Sequence, residues 1–199
     1  MAIDLTLSLD LSSQPFRNPD SRSTHLFALG HFGTHLDKAS PEPLPLDLLE
    51  RPGVLVDAHA AGADIGLDSL AGVDVRPGDF VLIHTGHLQR NPYGSPAYFD
   101  GHPQLHWALV EALVAQGARL IGIDAPGLRR GRPEHAEVDR WCEERNVFVV
   151  ENLTRLEDLA RTGLRRFPLR LGWIGHRGGT GIPVQVVARV DSSSPRITS

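Results

Sequence analysis

The sequence predicts an α/β fold with neighbouring parallel strands. Residues 80–84, 119–124 and 147–151 are short apolar runs of the kind a sheet buries on both faces. Between them, residues 104–116 and 133–145 carry apolar side chains at helical spacing. Strand, helix, strand, helix, strand is the order that βαβ units produce.

The remaining elements follow from local pattern. Ile3, Leu5, Leu7, Leu9 and Leu11 alternate with polar residues, so residues 3–11 read as a half-buried strand. Residues 16–22 are polar and contain Pro19, a loop, and residues 24–29 form a second short strand. Three prolines in residues 40–46 exclude a regular helix. Residues 47–50 allow at most one helical turn, 53–57 an apolar strand and 67–70 another turn. Residues 88–102 are irregular, with Pro92 and Pro96 among Tyr93, Tyr98 and Phe99, and an irregular stretch of that length is usually functional. Leu105, Leu109, Ala112 and Leu113 mark the inner stripe of the helix at 104–116, which Pro103 precedes and Gly117 stops. Residues 165–171 and 182–190 complete the sheet. Residues 1–190 are thus expected to form a single domain and 191–199 a polar C-terminal tail.

Bulk properties narrow the function. A chain of 199 residues with 41% apolar and 22% charged residues suits one globular domain. A net charge of −4 argues against a nucleic-acid partner. Cys142 is the one cysteine, so no internal disulfide forms, and its helical setting makes it a packing residue. The start Met1-Ala2-Ile3-Asp4 lacks the regions of a signal peptide, and no apolar run approaches the ~20 residues of a membrane span. The expectation is a cytoplasmic protein without a membrane partner. Ten histidines favour metal or acid–base chemistry.

The densest chemistry lies in Gly30-His31-Phe32-Gly33-Thr34-His35-Leu36-Asp37. Imidazole nitrogen and carboxylate oxygen are the ligands a borderline divalent metal such as zinc prefers. On a helix Asp37 would point away from His31 and His35. On a straight strand the two histidines would stand about 13 Å apart. A bend at Gly33 would gather all three, because glycine accepts backbone angles that other residues avoid. The motif therefore reads either as a strand end turning over a metal or as half-buried histidines beside a turn aspartate.

Gly-Thr-His-x-Asp preceded by a histidine resembles the cyclase family of metal-dependent hydrolases, which includes bacterial kynurenine formamidase and isatin hydrolase. The likeness continues through Ile3-Asp4-Leu5-Thr6 with Gln14-Pro15-Phe16, then Pro77-Gly78-Asp79 into residues 80–86. It extends through Gly122-Ile123-Asp124-Ala125-Pro126, Val149-Val150-Glu151-Asn152-Leu153 and Gly181-Ile182-Pro183-Val184. This resemblance implies a single-domain mixed α/β fold around a curved sheet with flanking helices, assembled as a homodimer. It places His31, His35 and Asp37 on a divalent metal, zinc before manganese, with Asp37 able to bridge two ions. It brings Glu151 to the same site and sets Phe16 beside a small-molecule substrate. The implied activity is hydrolysis of a small amide, formamide, lactone or lactam by a metal-activated water.

Two departures from the family pattern matter. The histidine expected twelve positions before Glu151 is Asp139, which can still bind zinc or manganese. His135, one turn earlier on the same helix face, is the alternative ligand. The proton-transferring histidine expected after Asp37 is replaced by Pro41, which cannot carry a proton. His87, Lys38 and His59 are the candidate replacements, with His87 and Lys38 the two catalytic residues favoured. Loss of that histidine also leaves open a non-catalytic small-molecule-binding homologue, or a metal-dependent lyase or cyclase.

Overall fold

A computed structural model describes residues 1–7, 29–175 and 178–190. The described elements run β1 (Ala2–Asp4), β2 (His35–Asp37), β3 (Glu50–Asp57), β4 (Asp64–Ile65), β5 (Phe80–His84), α1 (His87–Arg90), α2 (Pro96–Phe99) and β6 (Gln104–Leu105). Then come α3 (Trp107–Ala115), β7 (Leu120–Ile123), α4 (Arg132–Glu143), β8 (Phe148–Glu151), α5 (Leu156–Ala160), β9 (Arg166–Trp173) and β10 (Gly181–Arg189). Single 3-10 turns occupy Leu46–Leu49 and Leu67–Leu70, where the sequence predicts short turns.

The main sheet closes on itself. Its order is β1-β10-β2-β8-β7-β5-β3-β9, and β9 pairs back onto β10. β3, β5, β7 and β8 are parallel neighbours, as the βαβ pattern predicts. The pairings of β1, β2, β9 and β10 are antiparallel. The result is a single α/β domain in which a mixed sheet forms a barrel with helices outside it.

Strand alternation explains both cores. Phe80 and Leu82 of β5 join Leu36, Leu120, Val150 and Leu169 in the barrel interior. Val81 and Ile83 face outward, with Val149, onto Leu109 and Leu113 of α3 and Val138 and Cys142 of α4. Because β5 is buried on both faces, its sequence is a continuous apolar run. Asp79 pins the entrance to this strand: Arg166 of β9 forks onto its two oxygens at 2.9 and 2.7 Å, and the Arg76 N–H donates at 2.7 Å.

Several expectations are corrected. The first strand ends at Asp4 rather than running on, because Leu7 N–H turns to donate to Thr34 Oγ1. Residues 8–11, the loop at 16–22 and residues 24–28 lie outside the described residues, as does the tail 191–199. Leu29 is in a turn, not a strand. The helix at 104–116 starts only at Trp107, because Gln104–Leu105 pairs in parallel with Asp64–Ile65 as a small second sheet. Residues 88–102 hold two one-turn helices instead of being wholly irregular. Among the described residues, no helix is long and apolar enough to cross a membrane.

Candidate metal centre

The register of β2 against β8 builds the site. His35 pairs with Glu151, so the start of the chain meets an acid three-quarters of the way along it. Leu36 and Val150 point into the barrel. Alternation then sends His35, Asp37 and Glu151 outward, to the side where α4 packs. His135 and Asp139 sit one turn apart on α4, with His135 Nε2 3.3 Å from Asp139 Oδ2 and 3.3 Å from Glu151 Oε1. At Gly33 the backbone takes φ +57°, the bend that the motif requires. It returns the His31 ring to within 5.0 Å of the His35 ring.

The donors form two groups that share one carboxylate. His31, His35 and Asp37 make one, and Asp37, His135 and Asp139 make the other. Asp37 Oδ1 is 2.9 Å from His31 Nδ1 and 3.4 Å from His35 Nε2, while Oδ2 is 4.0 Å from His135 Nε2. Glu151 Oε2 is 3.5 Å from His35 Nε2. These contacts are close but out of line for hydrogen bonding: both Asp37 oxygens, Asp139 Oδ1 and Glu151 Oε1 are buried without a hydrogen-bond partner. Buried carboxylate oxygens are costly unless paired or on a metal.

Electrostatics follow from this crowding. Burial pushes the Glu151 carboxyl well above the usual carboxylate range, and Asp37 and Asp139 push it further. Asp139 rises in the same way, through burial and then Asp37. Burial also acts to raise Asp37, but His35 and His31 outweigh it and hold this acid well below its usual range. His135 is lowered, chiefly by burial. A divalent cation placed among these groups would offset the burial and mutual repulsion that raise the Glu151 and Asp139 carboxyls.

A polar layer orients the ligands. His35 Nδ1–H donates to the Gly33 carbonyl at 2.9 Å, which leaves Nε2 facing the cluster as a lone pair. Asn152 Nδ2 donates to the same carbonyl at 2.7 Å, and Tyr98 Oη donates to Asn152 Oδ1 at 2.6 Å. Thr34 Oγ1 donates to the Asn152 carbonyl at 2.8 Å. Asn152 holds φ +58°, a conformation costly for a residue with a Cβ. Gly127 clears the approach of α4: a Cβ there would lie 2.5 Å from His135 Nδ1 and 3.2 Å from Glu151 Oε1.

The structure gathers His31, His35, Asp37, Asp139 and Glu151 in one place, and adds His135 beside Asp139 rather than in place of it. The candidate proton carriers are not in the two donor groups that share Asp37. His87 is buried, its Nε2–H donating to the Tyr98 carbonyl at 2.8 Å and its Nδ1 accepting from Asn91 Nδ2 at 3.2 Å. The Lys38 ammonium donates to the Ser40 carbonyl. His59 is exposed, 2.7 Å from Asp57 Oδ1, and together with His84 those residues form a separate donor group at the ends of β3 and β5. Pro41 is exposed on the loop beyond β2. Phe16 lies outside the described residues. The structure also adds Tyr93, whose hydroxyl accepts the Gly33 N–H at 3.0 Å, and Gly127. The sequence marks Tyr93 only as one aromatic of the irregular stretch 88–102, and Gly127 not at all.

Fold and site together define an α/β barrel with a buried His/Asp/Glu donor set able to coordinate a divalent metal between its wall and a flanking helix. The chain belongs to the Cyclase family, whose model ("Putative cyclase") matches residues 3–129. That match takes in His31, His35 and Asp37 and stops short of His135, Asp139 and Glu151. The fold is also shared with solved structures. One is described as a "Potential Metal-Dependent Hydrolase With Cyclase Activity", with 22% identity, 94% of this chain and 96% of that chain covered, and a TM-score of 0.72. A second, a "predicted metal-dependent hydrolase" from Bacillus stearothermophilus, has 21% identity, coverage of 94% and 97%, and a TM-score of 0.69. Isatin hydrolase A from Labrenzia aggregata has 16% identity, coverage of 94% and 93%, and a TM-score of 0.72.

Proposed function

We propose that this protein is a divalent-metal-dependent hydrolase cleaving a small amide, formamide, lactone or lactam, in the manner of an arylformamidase or isatin hydrolase. The observation that carries the reading is Asp37: both its oxygens are buried without hydrogen-bond partners while it is shared by two donor groups. That is the setting of a carboxylate bridging two ions. His31, His35 and Asp37 would hold one ion, and Asp37, His135, Asp139 and Glu151 the other. Zinc suits the imidazole-rich half and manganese the carboxylate-rich half. Such ions polarise a carbonyl and lower the pKa of water. The chain's own part is to fix the His35 tautomer through Gly33 and to keep Glu151 and Asp139 close enough to accept a proton from the attacking water. A cytoplasmic homodimer acting on a small molecule remains part of this reading.

The direct test is acid release from N-formylaniline, isatin and simple lactones by zinc- and manganese-loaded protein. Turnover of at least one substrate that disappears in Asp37→Asn supports the reading. Turnover that persists in Asp37→Asn counts against the site. The exposed Pro41, where the family pattern has a proton-transferring histidine, favours a second reading, a metal-loaded binding protein without turnover. Saturable binding of isatin with no acid release would select it.

A further inference from the structure

The described residues leave one hydroxyl at the ligand bend without a task. Tyr93 Oη accepts a hydrogen bond from Gly33 N–H at 3.0 Å. Gly33 lies two residues from His31 on one side and two from His35 on the other, so the phenol is fastened to the loop that carries both imidazoles. The ring is fixed from behind, edge-on to Tyr98 at 5.4 Å and tilted against Phe99 at 6.3 Å. Tyr98 is itself tied to Asn152. Tyr93 is half-buried, and among the described residues its hydroxyl proton has no acceptor.

A phenol that accepts one hydrogen bond is polarised into a better donor for the next. Burial holds the Tyr93 proton on more firmly than usual, with the Gly33 N–H pulling the other way, so the group stays a donor. A fixed, partly desolvated donor aimed where negative charge develops is what acyl transfer requires.

Resting on the hydrolase reading above, we propose that the Tyr93 hydroxyl is the hydrogen-bond donor for the substrate's carbonyl oxygen as that oxygen becomes an oxyanion. The oxygen of water adds to the carbonyl carbon, and the C=O π pair moves onto the carbonyl oxygen, which Tyr93 O–H then binds. On collapse that pair re-forms the C=O bond and the C–N or C–O bond breaks. The leaving atom keeps the bonding pair and takes the proton that the water lost. The Tyr93 proton is shared throughout and never transferred. The role differs from that of the histidine that Pro41 replaces: it stabilises charge and does not shuttle protons.

The test compares wild type with Tyr93→Phe, which keeps the ring and its packing. Three quantities are read on zinc-loaded protein: zinc affinity by chelator competition, kcat on the best substrate of the panel, and affinity for phenylphosphonate, a tetrahedral oxyanion mimic. Expected are a roughly 100-fold fall in kcat, a tenfold or larger loss of phenylphosphonate affinity of the order that one hydrogen bond to a charged group gives, and a loss of zinc affinity no larger than the roughly tenfold that loosening the Gly33 bend gives. A kcat and phosphonate affinity equal to wild type overturn the proposal. So does a loss of zinc affinity matching the loss of rate, which would make Tyr93 a prop for the bend. Failure of the hydrolase reading shows instead in the wild-type arm, as absent zinc binding or absent turnover, and takes this proposal with it.

Discussion

Tyr98 Oη donates to Asn152 Oδ1 at 2.6 Å, and through that bond an aromatic residue of α2 fixes the imidazole of His35. Asn152 passes the constraint on by donating to the Gly33 carbonyl, which also receives His35 Nδ1–H. Tyr98→Phe removes the hydroxyl and keeps the buried ring. Groups that orient a ligating imidazole are worth 10- to 100-fold in metal affinity. Zinc affinity of Tyr98→Phe, read by chelator competition, is expected to fall about tenfold. Wild-type affinity would show that Asn152 holds the bend without Tyr98.

Gly127 tests the α4 side of the cluster. Its φ of +133° and the 2.5 Å separation that a Cβ would have from His135 Nδ1 leave no room for alanine. Gly127→Ala is expected to displace His135 and lower the zinc bound per chain by one, with the ion at His31 and His35 retained. Inductively coupled plasma mass spectrometry on the desalted variant reads this directly. Unchanged stoichiometry would remove His135 from the ligand set.

The Asp79 and Arg166 pair is structural. Asp79 is fully buried, and Arg166 reaches both its oxygens. Arg166 is partly exposed, so removing Asp79 leaves its charge within reach of water, and the lost hydrogen bonds cost about 1–3 kcal/mol. Asp79→Ala is expected to lower unfolding stability by that order in urea titrations, with zinc affinity of the folded protein unaltered. A loss under about 1 kcal/mol would mean that the pair is solvated enough to be dispensable.

His102 gives stability an acid limb. Burial lowers its pKa from 6.5 to about 4. The folded state therefore resists a proton that the unfolded chain accepts below 6.5. Its contribution is complete above pH 6.5 and is lost as pH falls from there to about 4. It amounts to up to about 3 kcal/mol. His102→Gln removes this titration, so between pH 6.5 and pH 4 its stability is expected to fall less steeply than that of wild type. Parallel curves would assign the acid limb to other groups.

How far the sequence could be read depended on how local the cause was. The parallel strands were legible because β5, β7 and β8 are buried on both faces and so are apolar up to the polar residues that close β5 and β8. The bend at Gly33 was legible because ligand spacing and glycine together allow little else. The closed barrel was not, since pairing of β9 with β10 depends on the curvature of the whole sheet. Nor was the start of α3: Gln104 and Leu105 carry helical periodicity, and only their pairing with Asp64 and Ile65 draws them into a strand. Glu151 and Asp139 emerged through family resemblance and not through spacing, because β8 and α4 bring them in from far along the chain. His135 and Asp139 looked like alternatives in sequence, yet one helical turn sets both against the cluster. Tyr93 was legible only as one aromatic of a long irregular stretch, because its contact is to a backbone N–H sixty residues away.

The sharing of Asp37 between two ions is tested most directly by counting metal. Wild type and Asp37→Asn, each purified without added metal, saturated with zinc and desalted, would be assayed by plasma mass spectrometry alongside circular dichroism. We expect two zinc ions per wild-type chain and neither retained at stoichiometric level in the folded Asp37→Asn variant. A folded wild-type protein that holds no zinc, or a variant that still holds two, would contradict a bridging Asp37.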